Sequence, residues 1–348
     1  MPRIRFADVT FPPEGELSEY KVDQRLRKFL SNYRSKNSPK SRWALSDDDR
    51  VKIDRRARTY VRAISQRSGM SHLDKKDRER MEVFRHGVEL KSVETEHCAD
   101  EIASALHTEM PWMAPATERV WQDMRASVRA GDPAPRLSSL LLVGPPGIGK
   151  SFWARLLGKM LGVPTTVIEA TGEPASFSVT GSQRGWGSAG PGKPLEGIIS
   201  SGLANPIIVI DEIEKAGSVH SRSGQPFNLS EGLLPLLEKS TAASWSCPYF
   251  RVHFDMSWIG WVMTANSLRG LPEPLLSRCP PLELSHLTME ELMGFAAREA
   301  ERCGLPSDAA DAVLEVIATI KKPHLISLRS VLRLLDAVEH AQHRPILH

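Results

Sequence analysis

The segment from Leu137 to Met160 constrains this chain more than any other. An apolar run, Leu137 to Val143, feeds Gly144-Pro145-Pro146-Gly147-Ile148-Gly149-Lys150-Ser151, and a helical pattern follows in which Phe152, Trp153, Leu156, Leu157 and Met160 share one face. Strand, glycine-rich loop and helix in that order are the context that the G-x-x-x-x-G-K-[ST] spacing needs. Glycines let the backbone curl so that its N–H groups point inward at a helix N-terminus, which makes an anion nest. Lys150 is then in reach of the outer phosphates of a nucleoside triphosphate, and the Ser151 hydroxyl of its Mg²⁺. A chance glycine-rich turn would lack the flanking strand and helix.

Composition excludes several classes. At 348 residues, 41% hydrophobic and 25% charged, the chain has room for two or three domains and a large core. No run of 18 apolar residues marks a membrane span, and Met1-Pro2-Arg3-Ile4-Arg5 lacks the apolar stretch of a signal peptide. Cys98, Cys247, Cys279 and Cys303 lie far apart with no C-x-x-C pair, which argues against a zinc site or a disulfide framework. A cytoplasmic location is the default expectation. The net charge of +3 hides an uneven distribution: Lys21 to His86 holds 20 of the 45 Lys and Arg residues but 9 of the 42 Asp and Glu residues. Such a region suits nucleic acid or an acidic protein surface, although a solvated helical face has the same composition.

Four regions follow from the pattern: a basic, mainly helical N-terminal region over 1–106, a helical linker over 107–135, an α/β core over 136–285, and an all-α lid over 286–348. Residues 1–40, with Pro12-Pro13 and little periodicity, read as a loosely ordered arm. Helices are expected from Asp47 to about Gly69, from about Ser71 to His86, and near Ser92 to Leu106. Strands are expected at 137–143, 165–170, 206–210 and 258–265, alternating with helices, which implies a mostly parallel sheet with helices on both faces. Thr288-Met289-Glu290-Glu291 reads as a capping box, and Ser327 as the cap of a last helix with Leu328, Val331, Leu332, Leu335 and Val338 on its apolar face.

Ile207-Ile208-Val209-Ile210 is a β-branched run of the kind a buried parallel strand needs, and it ends in Asp211-Glu212. Ligands of α/β sheets bind beyond the carboxyl ends of the strands. Asp211 is therefore a candidate for the Mg²⁺ shell and Glu212 for orienting or deprotonating the attacking water.

GPPGIGKS and IIVIDEIEK resemble the Walker A and Walker B motifs of the AAA+ ATPases, and the order of motifs resembles the ATPase module of the Lon family over roughly 110–345. Gly181 to Lys193 resembles the Lon pore-loop segment, Val262 to Ser267 the sensor strand, and Pro274 to Arg278 the arginine-finger helix. The resemblance implies a P-loop NTPase fold with ATP and Mg²⁺ as ligands. It also implies a homo-oligomeric ring, expected to be a hexamer, acting on a protein substrate. Asn266 then contacts the water or γ-phosphate, Arg278 reaches a neighbouring subunit's nucleotide, and Arg329 is the lid's sensor arginine, with Arg333 as runner-up. Trp186, in the glycine-rich run Gly185 to Gly190, corresponds to the aromatic that faces the pore. Gly187 stands where a second bulky residue is common. A Lon protease carries a further Ser-Lys catalytic domain that is not recognisable here, so the expectation is remodelling without proteolysis. Two other readings remain open: a nucleic-acid-acting ATPase that uses residues 21–86, and a nucleotide-gated scaffold.

Overall fold

A computed structural model describes residues 1–12, 18–37, 44–171, 175–184, 189–216, 219–220, 226–320, 322 and 325–342. Its first strand, β1 (Arg3–Ile4), is followed by the helices α1 (Glu19–Asn37), α2 (Asp47–Arg67) and α3 (Lys75–Met81) and by β2 (Val88–Glu89), which pairs antiparallel with β1. The loose arm expected over 1–40 is therefore corrected for residues 1–12 and 18–37, the remainder of it lying outside the described residues. Phe6 is buried, with ring centroids 5.1 Å from Phe84 and 5.6 Å from Phe254. The backbone N–H of Asp8 donates to the His253 carbonyl at 2.8 Å, and that of Asp255 to the Phe6 carbonyl at 2.8 Å. These partners stand far along the sequence, so local periodicity does not announce them. α1 and α2 form a hairpin tied by Arg34 and Asp49; that guanidinium, with the Ser46 hydroxyl, holds the Asp49 carboxyl well below the usual carboxylate range. The helix expected from Ser71 to His86 is shorter, because Asp74 caps α3 at Asp77 and the chain turns through a 3-10 segment at Glu82–Phe84.

Next come α4 (Glu96–Glu109), capped by Thr95, and α5 (Ala114–Ala130), ended by Gly131 at φ 71°. The core follows as β3 (Leu140–Val143), α6 (Lys150–Leu161), β4 (Thr165–Glu169), α7 (Ala175–Thr180), α8 (Lys193–Ser201) and β5 (Ile207–Asp211). Then come two short hairpins, β6 (Val219–His220) with β7 (Pro226–Phe227) and β8 (Trp245–Ser246) with β9 (His253–Phe254), and between them α9 (Leu229–Leu237) and α10 (Lys239–Ala242). β10 (Gly260–Ala265), α11 (Glu273–Arg278) and β11 (Pro281–Glu283) complete it. The sheet order is β11-β3-β10-β5-β4, and every pairing is parallel. The four expected strands are present. The fifth, β11, escapes pattern reading because it is three residues long and starts at a proline, which an edge position tolerates.

β3, β5 and β10 occupy the middle of the sheet and are buried on both faces, which the Leu, Ile and Val content of β3 and β5 suits. On α6, Trp153 and Leu157 are fully buried and the Trp153 indole donates to Thr117 Oγ1 at 3.0 Å, whereas Phe152 is 52% exposed and lies off the expected apolar face. The C-terminal helices are α12 (Met289–Arg302), α13 (Ser307–Ala318) and α14 (Leu328–Gln342). Thr288 and Glu291 form the expected capping box. Leu328, Val331 and Leu335 are buried, but Leu332 is exposed.

Candidate functional site

The phosphate-loop pattern of the sequence forms a curled loop between β3 and α6. Gly147 (φ 78°) and Gly149 (φ 92°) both adopt the left-handed conformation that a side chain resists. A Cβ on Gly149 would stand 2.6 Å from Met110 Cε, and one on Gly147 would stand 2.4 Å from Ser327 Cβ. Pro145 and Pro146 fill the loop without asking for backbone acceptors, and the Ile148 carbonyl accepts from the Trp112 indole at 2.8 Å.

Lys150 opens α6 and is 7% exposed. Its Nζ donates to the Gly144 carbonyl at 2.7 Å, the Pro145 carbonyl at 2.9 Å and Asn266 Oδ1 at 3.0 Å. Burial lowers its pKa, opposed by the charges of Glu214, Asp211 and Glu212. The ammonium is thus held by neutral oxygens, with three carboxylates nearby. Ser151 Oγ donates to Asp211 Oδ1 at 2.6 Å, and Thr264 Oγ1 donates to the same oxygen at 2.5 Å. β3, β5 and β10 are adjacent and in register, which is why the residues at their carboxyl ends meet.

Glu212 follows β5 at φ 54° and ψ 49°, a conformation rare outside glycine, and its N–H donates to Thr264 Oγ1 at 3.1 Å. Strain at such a place is a common mark of function. Its Oε1 accepts from Lys215 Nζ at 2.8 Å, which raises the Lys215 pKa. Asn266 is oriented from both ends: its carbonyl faces Lys150, its Nδ2 donates to Glu214 Oε1 at 3.0 Å, and its backbone N–H reaches the same oxygen at 3.1 Å. The longer approach of Nδ2 to Glu212 Oε1 is 3.5 Å. Glu214 Oε2 is buried without a hydrogen-bond partner among the described residues. The sequence motifs give Glu214 no role; its only signal is that it is a third acid just beyond Asp211-Glu212.

The C-terminal helical region touches the loop directly, since the Leu328 N–H donates to the Gly147 carbonyl at 3.0 Å. Arg329, the next residue, is exposed, as is Arg333 one turn on. Arg278 lies elsewhere. It pairs with Glu238 at 3.5 Å and lines a hollow with Leu137, Ser138 and Ile259, which precede β3 and β10. That is the opposite end of the sheet from Lys150 and Asp211. Trp186 lies outside the described residues. The segment that carries it is closed at its base, because Gly181 bridges Pro191 and the Ser182 N–H donates to the Gly190 carbonyl at 3.0 Å.

Residues 140–285 match the family described as "ATPase family associated with various cellular activities (AAA)". The five-stranded parallel sheet lies within this matched segment and the all-helical C-terminal region follows it, the AAA P-loop fold that the sequence suggested. It is similar to Lon proteases. Identity is 31% over 175 residues to the Lon protease of Methanosarcina barkeri, covering 50% of this chain and 21% of that protein. It is 33% over 172 residues to the peroxisomal Lon protease homolog 2 of Arabidopsis thaliana, covering 49% and 19%. To the Lon protease of Metamycoplasma arthritidis it is 31% over 206 residues, covering 57% and 24%. The matched region thus spans about a fifth of the length of these relatives. The chain carries a Lon-like AAA+ module. Among the described residues no helix is long and apolar enough to cross a membrane.

Proposed function

We propose that this chain binds ATP with Mg²⁺, hydrolyses it as a ring of like subunits, six being the expected number, and uses the turnover to remodel or unfold a protein substrate rather than to cleave it. The observation that carries the reading is the convergence of Lys150, Ser151, Asp211, Glu212 and Asn266, joined by hydrogen bonds of 2.6 Å from Ser151 to Asp211 and 3.0 Å from Lys150 to Asn266.

The residues fit the ligand. A hydroxyl and a carboxylate oxygen, already in contact, are the hard donors Mg²⁺ takes when phosphates supply the remainder, so Ser151 and Asp211 would hold it. Bound Mg²⁺ supplies charge neutralisation on the β- and γ-phosphates. Within the loop Gly147, Ile148 and Gly149 offer their backbone N–H groups, since that of Gly144 is donated to the Ala265 carbonyl and the two prolines have none, and Lys150 exchanges carbonyl partners for phosphate oxygens. Glu212 orients or deprotonates the attacking water, and Asn266 holds that water or the γ-phosphate. The contact of the lid with Gly147 favours Arg329 as the sensor arginine. The position of Arg278 at the far end of its own sheet supports a role in trans, where a planar, permanently charged fork stabilises a neighbour's γ-phosphate. Trp186 is the proposed substrate grip.

Steady-state ATPase assays of wild type and Glu212→Gln, with and without an unfolded protein, test the proposal. Hydrolysis that the substitution abolishes and the unfolded protein stimulates, with stimulation lost in Trp186→Ala, is the expected result. Hydrolysis indifferent to substrate and to Trp186→Ala would indicate a scaffold that only resets with turnover.

A further inference from the structure

The α1–α2 hairpin sorts its charges by direction. On α1 the single acid beyond the first position, Asp23, turns inward and pairs with Arg27 at 2.5 Å. Every exposed charged residue from Tyr20 to Asn37 is basic. Lys21, Arg25, Lys28 and Lys36 recur at intervals of three, four or eight, which puts them on one helical face roughly 22 Å long. α2 repeats the arrangement. Asp49 is held by Arg34, Asp54 pairs with Arg58 at 3.1 Å, and past the first turn no exposed residue is acidic, whereas Lys52, Arg55, Arg56 and Arg62 all are exposed. A merely solvated face mixes both signs to gain short-range pairs. Here Asp49 ties the two helices together and Asp23 and Asp54 pair along their own helices, so that beyond the first turns, where Glu19, Asp47 and Asp48 are exposed, the exposed charged residues are of one sign.

Aromatic rings sit among these cations. Phe29 is 67% and Tyr33 57% exposed, and their rings lie 6.4 Å apart and nearly parallel, at 19°. The two are four residues apart on α1, so helical geometry puts them on one face with Arg25 and Lys36, and Lys28 at its margin. Tyr20 and Tyr60 are exposed on the same hairpin. Flat, water-exposed rings between lysines and arginines are the pairing that unstacked bases and their phosphates ask for. A duplex keeps its base faces covered and could use only the charges.

We propose that the outer face of α1, centred on Phe29 and Tyr33 beside Lys36, with Lys28 at its margin, binds single-stranded nucleic acid without base-edge readout. Phosphates contact the cations and successive bases lie on the two rings. The site is independent of the nucleotide site and of whether the ring remodels proteins.

The test is fluorescence anisotropy of a labelled oligothymidine of about 15 nucleotides with the full chain, without ATP, across a salt series. Wild type is compared with Phe29→Ala/Tyr33→Ala and with Lys28→Ala/Lys36→Ala; all four positions are exposed, so both variants keep the fold, which circular dichroism checks. The ring variant is expected to bind about tenfold or more weakly with an unchanged salt slope. The lysine variant is expected to lower the log–log salt slope by about 1.4. Absence of saturable binding by wild type would overturn the proposal. So would wild-type affinity in the ring variant, equal affinity for duplex of the same length, or equally tight binding of polyglutamate, which would make the face a dock for acidic protein.

Discussion

Gly147→Ala tests whether the C-terminal helices rest on the Gly144–Gly149 loop when nucleotide is bound. At φ 78° an L-residue costs about 1–2 kcal/mol. The new Cβ would also stand 2.4 Å from Ser327 Cβ, where carbon atoms settle at about 3.5–4.0 Å. Ser327 must therefore retreat by about 1 Å or more. That movement carries the Leu328 N–H away from the Gly147 carbonyl, now 3.0 Å away, and costs a hydrogen bond of about 0.5–1.5 kcal/mol. Together the losses come to about 1.5–3.5 kcal/mol, or at most about 10- to 400-fold in ATP affinity, reached where the free loop relaxes and the bound loop keeps this curl. The diagnostic is the second substitution. Ser327→Gly removes the atom struck and, as a cap exchange, costs only a few tenths of a kcal/mol. The pair Gly147→Ala/Ser327→Gly should recover about fivefold to tenfold of the lost affinity, measured with a fluorescent ATP analogue, while the φ penalty stays. Strict additivity of the two substitutions would refute the reasoning, because the lid would then not press on the loop when nucleotide is bound.

Other predictions follow the same contacts. Glu214→Gln should lower kcat about tenfold or more with little change in ATP affinity, because it loosens Asn266; in an Asn266→Ala background it should do nothing further, and additive effects would remove Glu214 from that role. Asp77 is 2% exposed and holds Arg184, which also donates to the Tyr249 and His72 carbonyls. Asp77→Asn should destabilise the protein by about 3 kcal/mol in urea unfolding, with Arg184→Met on top returning part of the loss; a change under about 0.5 kcal/mol would contradict the pairing. Burial pushes the Cys247 thiol up to about 11 and the Cys279 thiol up to about 12. The unfolded chain then ionises first, so this stability is intact below about pH 8.5 and is lost as pH climbs through 11 and 12. Native protein at about pH 8 should lose the exposed Cys303 thiol to iodoacetamide rapidly and those of Cys247 and Cys279 only on unfolding, as peptide mass mapping would read.

The legible parts of this protein are those whose signal is local. Gly144 to Ser151 and Ile207 to Glu212 carry their geometry in spacing, because a curled loop before a helix and an acid after a buried strand need only neighbours in sequence. Thr288 and Glu291 are legible for the same reason. The opaque parts depend on distant partners. β1 exists because Val88 and Glu89 offer it a ladder, and Phe6 is buried because Phe84 and Phe254 receive it. Phe152 and Leu332 fit a helical stripe in the sequence but are exposed, since an apolar pattern wider than its partner surface leaves an edge uncovered. Glu214 is opaque because its partner, Asn266, stands 52 residues along the chain, and only the fold reveals that contact. The pairing of Asp23, Asp49 and Asp54 with arginines of α1 and α2 is likewise invisible in a count of charges.

The central claim is turnover at the Lys150–Asp211–Glu212 cluster. The most direct measurement is phosphate release by the full chain at saturating ATP and Mg²⁺, wild type beside Glu212→Gln, with ATP binding followed in both. The account predicts tight binding in both proteins and phosphate release in wild type alone. Binding with equal, background-level release in the two would contradict it.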